Sequence, residues 1–333
     1  MSNQNKARRL HPAISFIFSV LFIGLAMLLV VSKQYIIDLI SFNQYKPTQE
    51  VSNIIDRAGL NDNGKFLFYA SQPSLESTSQ FNQDCDRVEQ TVSILGCYKD
   101  YRIYIYDVQE DQLNGINEVT AAHEMLHAAY ERLTSKERDD FGRLADVEYD
   151  KIKNLEGFED RMQYYDKAEP GQRYNELHSI IGTEIASISP ELEKYYQKYF
   201  SDRQKVVSLY ENYIKVFRQL NDKVQQLSTE LNDLVEEINQ VVAVYNQNVQ
   251  DVNQQIDDFN KRAESGRFSS ESAFYQERAL IINQVAALSA TRNEINDKIN
   301  NYNAILQEYN SIVIKSKKLY NTIDSTLAPV PAI

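Results

Sequence analysis

The sequence is poor in glycine, proline, cysteine and histidine, and its acidic residues outnumber the basic ones. Only 10 glycines and 7 prolines occur in 333 residues, which argues against long disordered linkers. The formal net charge is -12, and no basic stripe is present that could neutralise phosphates, so we expect no nucleic-acid partner. With 43% hydrophobic residues, the chain can form a packed domain and an additional element.

One long hydrophobic run lies near the N-terminus. Residues 13–31 are 19 residues without a charge, close to the roughly 20 that cross a bilayer as a helix. Lys6, Arg8 and Arg9 precede the run, so the positive-inside rule predicts a cytoplasmic tail over residues 1–12 and an extracytoplasmic remainder. A cleaved signal peptide is the alternative, but no small-x-small site follows the run. The sequence therefore predicts a single-pass protein of the cell membrane.

Cys85 and Cys97 are the only two cysteines. Because the predicted topology places both outside the cytoplasm, we expect a disulfide that stabilises the fold by about 2 to 3 kcal/mol through loop closure. Their spacing suits no zinc site. Two buried free thiols are the alternative.

Between the hydrophobic run and residue 190, strand patterns come first and helix patterns follow. Residues 66–69 (FLFY) and 102–107 (RIYIYD) are short runs of aromatic and β-branched residues, which are typical of strands. Asn117 is a candidate N-cap for a helix that ends near Leu133, and the capping box Thr134–Glu137 begins another. Residues 32–190 are therefore predicted to form an α+β domain.

The first of these helices carries the segment H-E-M-L-H, which holds two of the four histidines. His123 and His127 are four residues apart, so both imidazoles project from one helix face about 5 to 6 Å apart and can bind one tetrahedral Zn²⁺ ion. Glu124 is turned about 100° from His123 and falls beside the metal, where it can act as general base toward a water that the metal activates. A half-buried helix with fortuitous histidines is the alternative.

A zinc site of this kind needs a third protein ligand, and the segment Y-N-E-L-H-S-I-I-G-T-E, residues 174–184, offers one. It resembles the glutamate helix of thermolysin-like gluzincin metallopeptidases, in which an N-E-x-x-S run supplies the third ligand and Gly-Thr follows. The matching residues are Asn175, Glu176, Ser179, Gly182 and Thr183. The resemblance covers only the two helices and implies a zincin-like fold with Glu176 as ligand. The whole chain resembles uncharacterised membrane-anchored bacterial proteins that carry HExxH.

Other residues compete with Glu176 for the metal. Glu184 lies on the apolar stripe of the same helix, where a carboxylate needs a partner or a metal. The two glutamates are about 12 Å apart along a helix, so one ion cannot bind both. The aspartate that orients the first histidine in the family is Ile180 here. Further candidate ligands are His178, Asp139, Asp140 and Asp146, and candidates for stabilising an oxyanion are Tyr130, Tyr174 and His178.

The last third of the chain repeats apolar residues in a heptad pattern. One seam runs from Tyr213 to Phe259 and a second from Ile281 to Ile323. Residues 265–270 (SGRFSS) separate the seams, which predicts an antiparallel coiled-coil hairpin over residues 191–326 and a tail over residues 327–333. The hairpin either acts as a spacer or binds a partner or substrate.

Together these patterns predict a membrane-anchored, extracytoplasmic zinc metallopeptidase that acts on a peptide or protein substrate. Its zincin-like domain would use Glu124 as general base and later as proton donor. The alternative is a catalytically weak or inactive zincin-fold scaffold of the cell envelope, whose hairpin binds a partner protein.

Overall fold

A computed structural model describes residues 18–22, 33–85 and 94–325 of the chain. The chain divides into two compact units. The first unit extends to Lys215, beyond residue 190 where the predicted domain ends, and it also takes in the residues from Asn321 onward. The second unit runs from Val216 to Tyr320.

The first unit is mostly helical. Four helices and three strands come first: α1 (Lys33–Gln44), α2 (Gln49–Ala58), α3 (Asp62–Ala70), β1 (Ser74–Glu76), α4 (Thr78–Asp84), β2 (Gly96–Lys99) and β3 (Arg102–Tyr106). A 3₁₀ turn (Asp111–Leu113) leads to α5 (Ile116–Glu131), α6 (Ser135–Ile152), α7 (Phe158–Ala168), α8 (Arg173–Thr183), α9 (Pro190–Tyr196) and the start of α10 (Arg203–Glu264).

The prediction of an α+β zincin-like domain is wrong. The sheet within the described residues has only three short strands, with β3 between a parallel β1 and an antiparallel β2. Residues 66–69 lie in helix α3 rather than in a strand. The Asn61 side chain caps that helix by accepting a hydrogen bond from the Gly64 N–H. Four consecutive apolar residues fit a buried strand and a buried helix equally well, because the run shows no alternation of apolar and polar positions. The N-cap and the packing of the segment therefore determine that it is a helix.

The predicted localisation in the membrane is also contradicted. Within the described ranges, no helix is long and apolar enough to cross a bilayer. Helix α1, for example, has 12 residues and spans about 18 Å, whereas a hydrocarbon core is about 30 Å thick. Of the predicted span over residues 13–31, only residues 18–22 are described, and the rest of that span and the tail over residues 1–12 lie outside the described residues.

Helix α5, which carries the HExxH segment, is buried along most of its length. It begins after Gly115 rather than after Asn117. The φ angle of Gly115 is +104°, and a Cβ atom there would lie 2.9 Å from Cβ of Leu209, so only glycine fits. The Asn117 side chain instead accepts from the Val108 N–H and donates to Asp107.

Two local predictions are confirmed in the first unit. Thr134 and Glu137 form the capping box at the start of α6. Cys85 and Cys97 form a disulfide with their Cα atoms 6.0 Å apart, and this bond joins the end of α4 to strand β2. Strand β2 borders helix α5, so the disulfide fixes a strand next to the candidate site.

The second unit is a long helical hairpin, as predicted. Helices α10 and α11 (Glu271–Ile323) are joined by residues 265–270. Leu227 and Leu231 of α10 pack with Ile305 of α11, and Lys298 pairs with Glu237 across the hairpin at 2.8 Å. The short connection and these contacts make the two helices antiparallel.

Candidate metal centre

Helices α5 and α8 pack closely where the candidate ligands lie. A Cβ atom at Gly182 of α8 would lie 2.4 Å from Cδ1 of Leu126 and 2.8 Å from Cε1 of Tyr196. On the α5 side, Ala122 and Ala128 are fully buried and leave room for the neighbouring backbone. Small residues therefore allow the close approach that brings Glu176 of α8 opposite the two histidines of α5.

The three side chains have a spacing that suits one metal ion. Nε2 of His127 lies 3.6 Å from Oε1 of Glu176, and Nε2 of His123 lies 3.9 Å from Oε2. One ligand atom from each residue can be chosen so that all lie within 4.8 Å of one another. Zinc bonds of about 2.0 to 2.1 Å at tetrahedral angles put ligand atoms about 3.4 Å apart, so small side-chain movements would complete the site.

A hydrogen bond orients the imidazole of His127. Its Nδ1 lies 3.0 Å from Oδ1 of Asn175, the residue before Glu176. An amide oxygen only accepts, so Nδ1 carries a proton, and in the neutral tautomer with that proton the metal-binding lone pair is on Nε2, the atom that faces Glu176. Burial, and then the neighbouring His127, lower the pKa of His123 well below its usual value, which keeps the His123 ring neutral. Neutral imidazoles are the form that binds a metal.

The Glu176 carboxyl group is buried without enough hydrogen-bond donors. Its Oε2 atom has no hydrogen-bond partner within the described part of the chain, and the residue is only 4% exposed. Burial, with a smaller contribution from Glu169, raises the pKa of Glu176 to about 8. A buried carboxylate with an unsatisfied oxygen is costly unless a cation compensates it. Two imidazoles and this carboxylate are a donor set that fits Zn²⁺.

Glu124 lies beside this group and is not part of it. Its side chain is buried, Oε2 has no hydrogen-bond partner among the described residues, and burial raises its pKa to about 7 against the opposing effect of His127. Strand β2 packs on Glu124 through Gly96, where a Cβ atom would lie 2.8 Å from Cγ of Glu124. The strand backbone thus forms a wall against this carboxyl group.

Two residues that the sequence offered as competing ligands have other partners. Glu184 accepts a hydrogen bond from Nη1 of Arg161 at 2.8 Å. His178 is fully buried, with Nδ1 3.1 Å from the Leu126 carbonyl oxygen and Nε2 2.9 Å from the Tyr195 hydroxyl. Burial lowers the pKa of His178 to about 3, so the ring is neutral and joins α8 to α5 and α9. Both of its nitrogens are used, which leaves none for a metal or an oxyanion.

The remaining candidates fall outside the group of three ligands. Tyr174 donates its hydroxyl to Asp146 at 3.0 Å, and Asp140 pairs with Lys136 at the surface of α6, next to an exposed Asp139. Tyr130 is different, because it lines the cavity that contains the candidate site. None of the acidic residues of α6 therefore approaches the two histidines as a ligand.

The candidate ligands open into a cavity of about 830 Å³. Sequence reasoning missed most residues of its wall, because they approach the histidines only in the folded chain. Among them are Gly96, Arg161 and Tyr165. Tyr165 and Arg161 lie on helix α7, one turn apart. The hydroxyl of Tyr165 makes no hydrogen bond to any residue that the structure describes, and its half-buried ring faces the cavity.

These features define a candidate metal centre of two histidines and one glutamate, with a second glutamate beside it. No protein family model, curated protein or solved structure matches the chain. Inferences about its function therefore depend on the geometry and chemistry of this site.

Proposed function

We propose that the chain is a zinc-dependent hydrolase of peptide bonds, in which His123, His127 and Glu176 hold the metal. The observation that carries this proposal is that the three side chains lie together, while Oε2 of Glu176 has no hydrogen-bond partner in the part of the chain that the structure describes. When bound, Zn²⁺ supplies Lewis acidity that polarises a carbonyl group and acidifies a water molecule. The likeness of the two motifs to those of gluzincin peptidases supports a peptide bond as the target.

In this mechanism Glu124 moves the proton. Its carboxylate accepts a proton from the attacking water at one oxygen and delivers it to the leaving nitrogen, so it ends each cycle unprotonated. The wall formed by Gly96 and the burial of the side chain hold this carboxyl group in one place. Tyr165 is suited to donate a hydrogen bond to the developing oxyanion, because this residue lines the cavity and its hydroxyl is otherwise unbonded among the described residues.

A test combines zinc analysis of the full-length protein with a screen of peptide substrates. We expect about one zinc per chain and hydrolysis that Glu124→Gln reduces by roughly 10²- to 10⁴-fold while zinc stays bound. Glu131→Gln is the matched control, since Glu131 is on the same helix and at the cavity but exposed to solvent. Hydrolysis that survives Glu124→Gln, or that a zinc-free protein performs equally well, would contradict the proposal.

A second candidate is a scaffold in which the metal only stabilises the first unit and the hairpin binds a partner protein. It is favoured by large apolar side chains that remain exposed on the hairpin, such as Val244 at 60%, Leu280 at 64% and Ile314 at 69%. A scaffold of this kind would bind zinc and cleave no peptide, so the same screen separates the two candidates.

A further inference from the structure

Arg161 is an arginine of the cavity wall whose hydrogen-bonding capacity is only partly used. Nη1 donates to Oε2 of Glu184, and the side chain of Glu184 is almost fully buried. Nε is buried and has no partner, and Nη2 donates no hydrogen bond to any residue within the described ranges. The guanidinium group therefore keeps one edge, Nε with Nη2, without an acceptor.

Such an edge matches a carboxylate. The two N–H groups on one side of a guanidinium are parallel and spaced to reach both oxygens of a carboxylate, which gives a bidentate, charge-assisted pair. Leaving a buried guanidinium N–H unpaired is costly, so an acceptor that enters the cavity gains from satisfying it. Glu184 partly balances the charge of Arg161 but does not occupy this edge.

Arg161 lies in the wall of the cavity that contains the proposed reacting centre. Arg161 and Tyr165 are four residues apart on helix α7, so their side chains share one face and both line the cavity with His123 and Glu176. A group bound at Arg161 would thus lie within a few residues of a peptide bond at the metal.

The size and charge of the cavity restrict what can bind there. A volume of about 830 Å³ holds a short peptide segment rather than a folded loop. Besides Glu124 and the candidate ligand Glu176, three carboxylates line the cavity: Glu131, Glu169 and Glu184. Glu131 and Glu169 are exposed, so solvent screens their repulsion of a bound carboxylate, and Glu184 is paired with Arg161.

We propose that Arg161 forms a subsite for a substrate carboxylate, so that the chain acts on short peptides with a carboxylate close to the scissile bond. The inference depends on the proposed function for the cleavage step, although the binding step stands alone. The carboxylate can be a free C-terminus or the side chain of an aspartate or glutamate. Both present the same planar acceptor to the guanidinium group.

The test measures binding of matched fluorescent peptides to the zinc-loaded full chain by anisotropy, with Glu124→Gln used if wild type cleaves them. One pair differs only in a C-terminal acid or amide, and a second pair differs only in an internal Glu or Gln. We expect the acidic member of at least one pair to bind about tenfold more tightly or better, and the pair that shows it identifies the source of the carboxylate.

Three variants assign the preference to Arg161. Glu184→Gln should strengthen it, because the competing carboxylate is gone and Arg161 remains. Arg161→Gln combined with Glu184→Gln should abolish it without leaving a buried charge unpaired. Arg138→Gln is the control, since Arg138 also lines the cavity but is exposed. If the double variant does not fold or bind zinc, the test depends on Glu184→Gln alone. A preference for the acidic peptide that is unchanged or weaker in the Glu184→Gln variant would then contradict the subsite.

The proposal is overturned if acidic and neutral peptides bind equally or if neither binds. It is also overturned if the Arg161→Gln, Glu184→Gln double variant keeps the preference for acidic peptides. A preference that the double variant keeps and that zinc removal abolishes would place the carboxylate on the metal. An Arg161-dependent preference without cleavage of any peptide would refute the hydrolase and leave the subsite intact. Cleavage without a preference for acidic peptides would refute the subsite and leave the proposed hydrolase intact.

Discussion

Replacing Gly182 by alanine should weaken zinc binding although Gly182 is not a ligand. The added Cβ atom would lie 2.4 Å from Cδ1 of Leu126, whereas apolar atoms pack at about 3.5 Å or more. Leu126 and Tyr196 are both fully buried and have little room to turn away, so we expect the added Cβ atom to push helices α5 and α8 apart by up to about 1 Å. That shift would carry Glu176 further from the histidines than the present 3.6 and 3.9 Å, which small side-chain movements could no longer shorten to the roughly 3.4 Å that zinc ligands need.

We expect the affinity for zinc to fall by about tenfold or more, as for changes that displace a ligand without removing it. Overpacking costs about 1 to 3 kcal/mol, and the higher helix propensity of alanine offsets up to about 1 kcal/mol of this. The assay is competition with a chromophoric zinc chelator, with urea unfolding measured in parallel on the metal-free protein.

Gly142→Ala is the matched control for this variant. Gly142 is also a buried helical glycine, but a Cβ atom there would have its nearest contact at 3.7 Å, with Tyr174. We expect unchanged zinc affinity and a gain in stability of up to about 1 kcal/mol. If Gly182→Ala bound zinc as tightly as wild type and unfolded at the same urea concentration, the close packing of α5 and α8 would not be what positions Glu176.

Other variants test the site and its support. Glu176→Ala should lose zinc while Glu184→Ala keeps it, measured as metal content after dialysis; the opposite result would make Glu184 the ligand. Asn175→Ala should lower zinc affinity by about 10- to 100-fold, because the His127 ring loses the acceptor of its Nδ1 proton. Unchanged affinity would show that this hydrogen bond is dispensable for zinc binding. Asp38→Ala should destabilise the fold by about 3 to 5 kcal/mol in urea unfolding, since it leaves the largely buried Arg132 side chain without its carboxylate partner. Asp140→Ala at the surface should have no measurable effect, and equal stability of both variants would contradict this reasoning.

The parts of the fold that the sequence predicted correctly depend on local geometry. The spacing of His123 and His127 places both rings on one helix face whatever surrounds them, and the capping box at Thr134 involves neighbours in sequence. The hairpin repeats its pattern over many turns, and its connection is short. Such features need no knowledge of distant contacts.

The errors and omissions involve contacts between distant segments. Phe66 to Tyr69 form a helix because their neighbours in space bury them, and Asn117 caps nothing because Gly115 takes the left-handed conformation against Leu209. The choice of Glu176 over Glu184 depends on Arg161, which lies on a separate helix. No pattern in the sequence shows that Arg161 and Tyr165 approach the histidines.

His178 helps to fix the alignment of helix α8 along α5, on which the candidate metal centre depends. The fit of Gly182 against Leu126 already opposes sliding of the two helices, and the polar contacts of His178 oppose it further. A slip of one residue would turn Glu176 by about 100° away from the histidines. It would also remove His178 from the Leu126 carbonyl and the Tyr195 hydroxyl, and each polar group left buried and unpaired costs about 1 to 3 kcal/mol. A side chain that binds no metal thus holds two helices in the one alignment in which a three-residue site can exist.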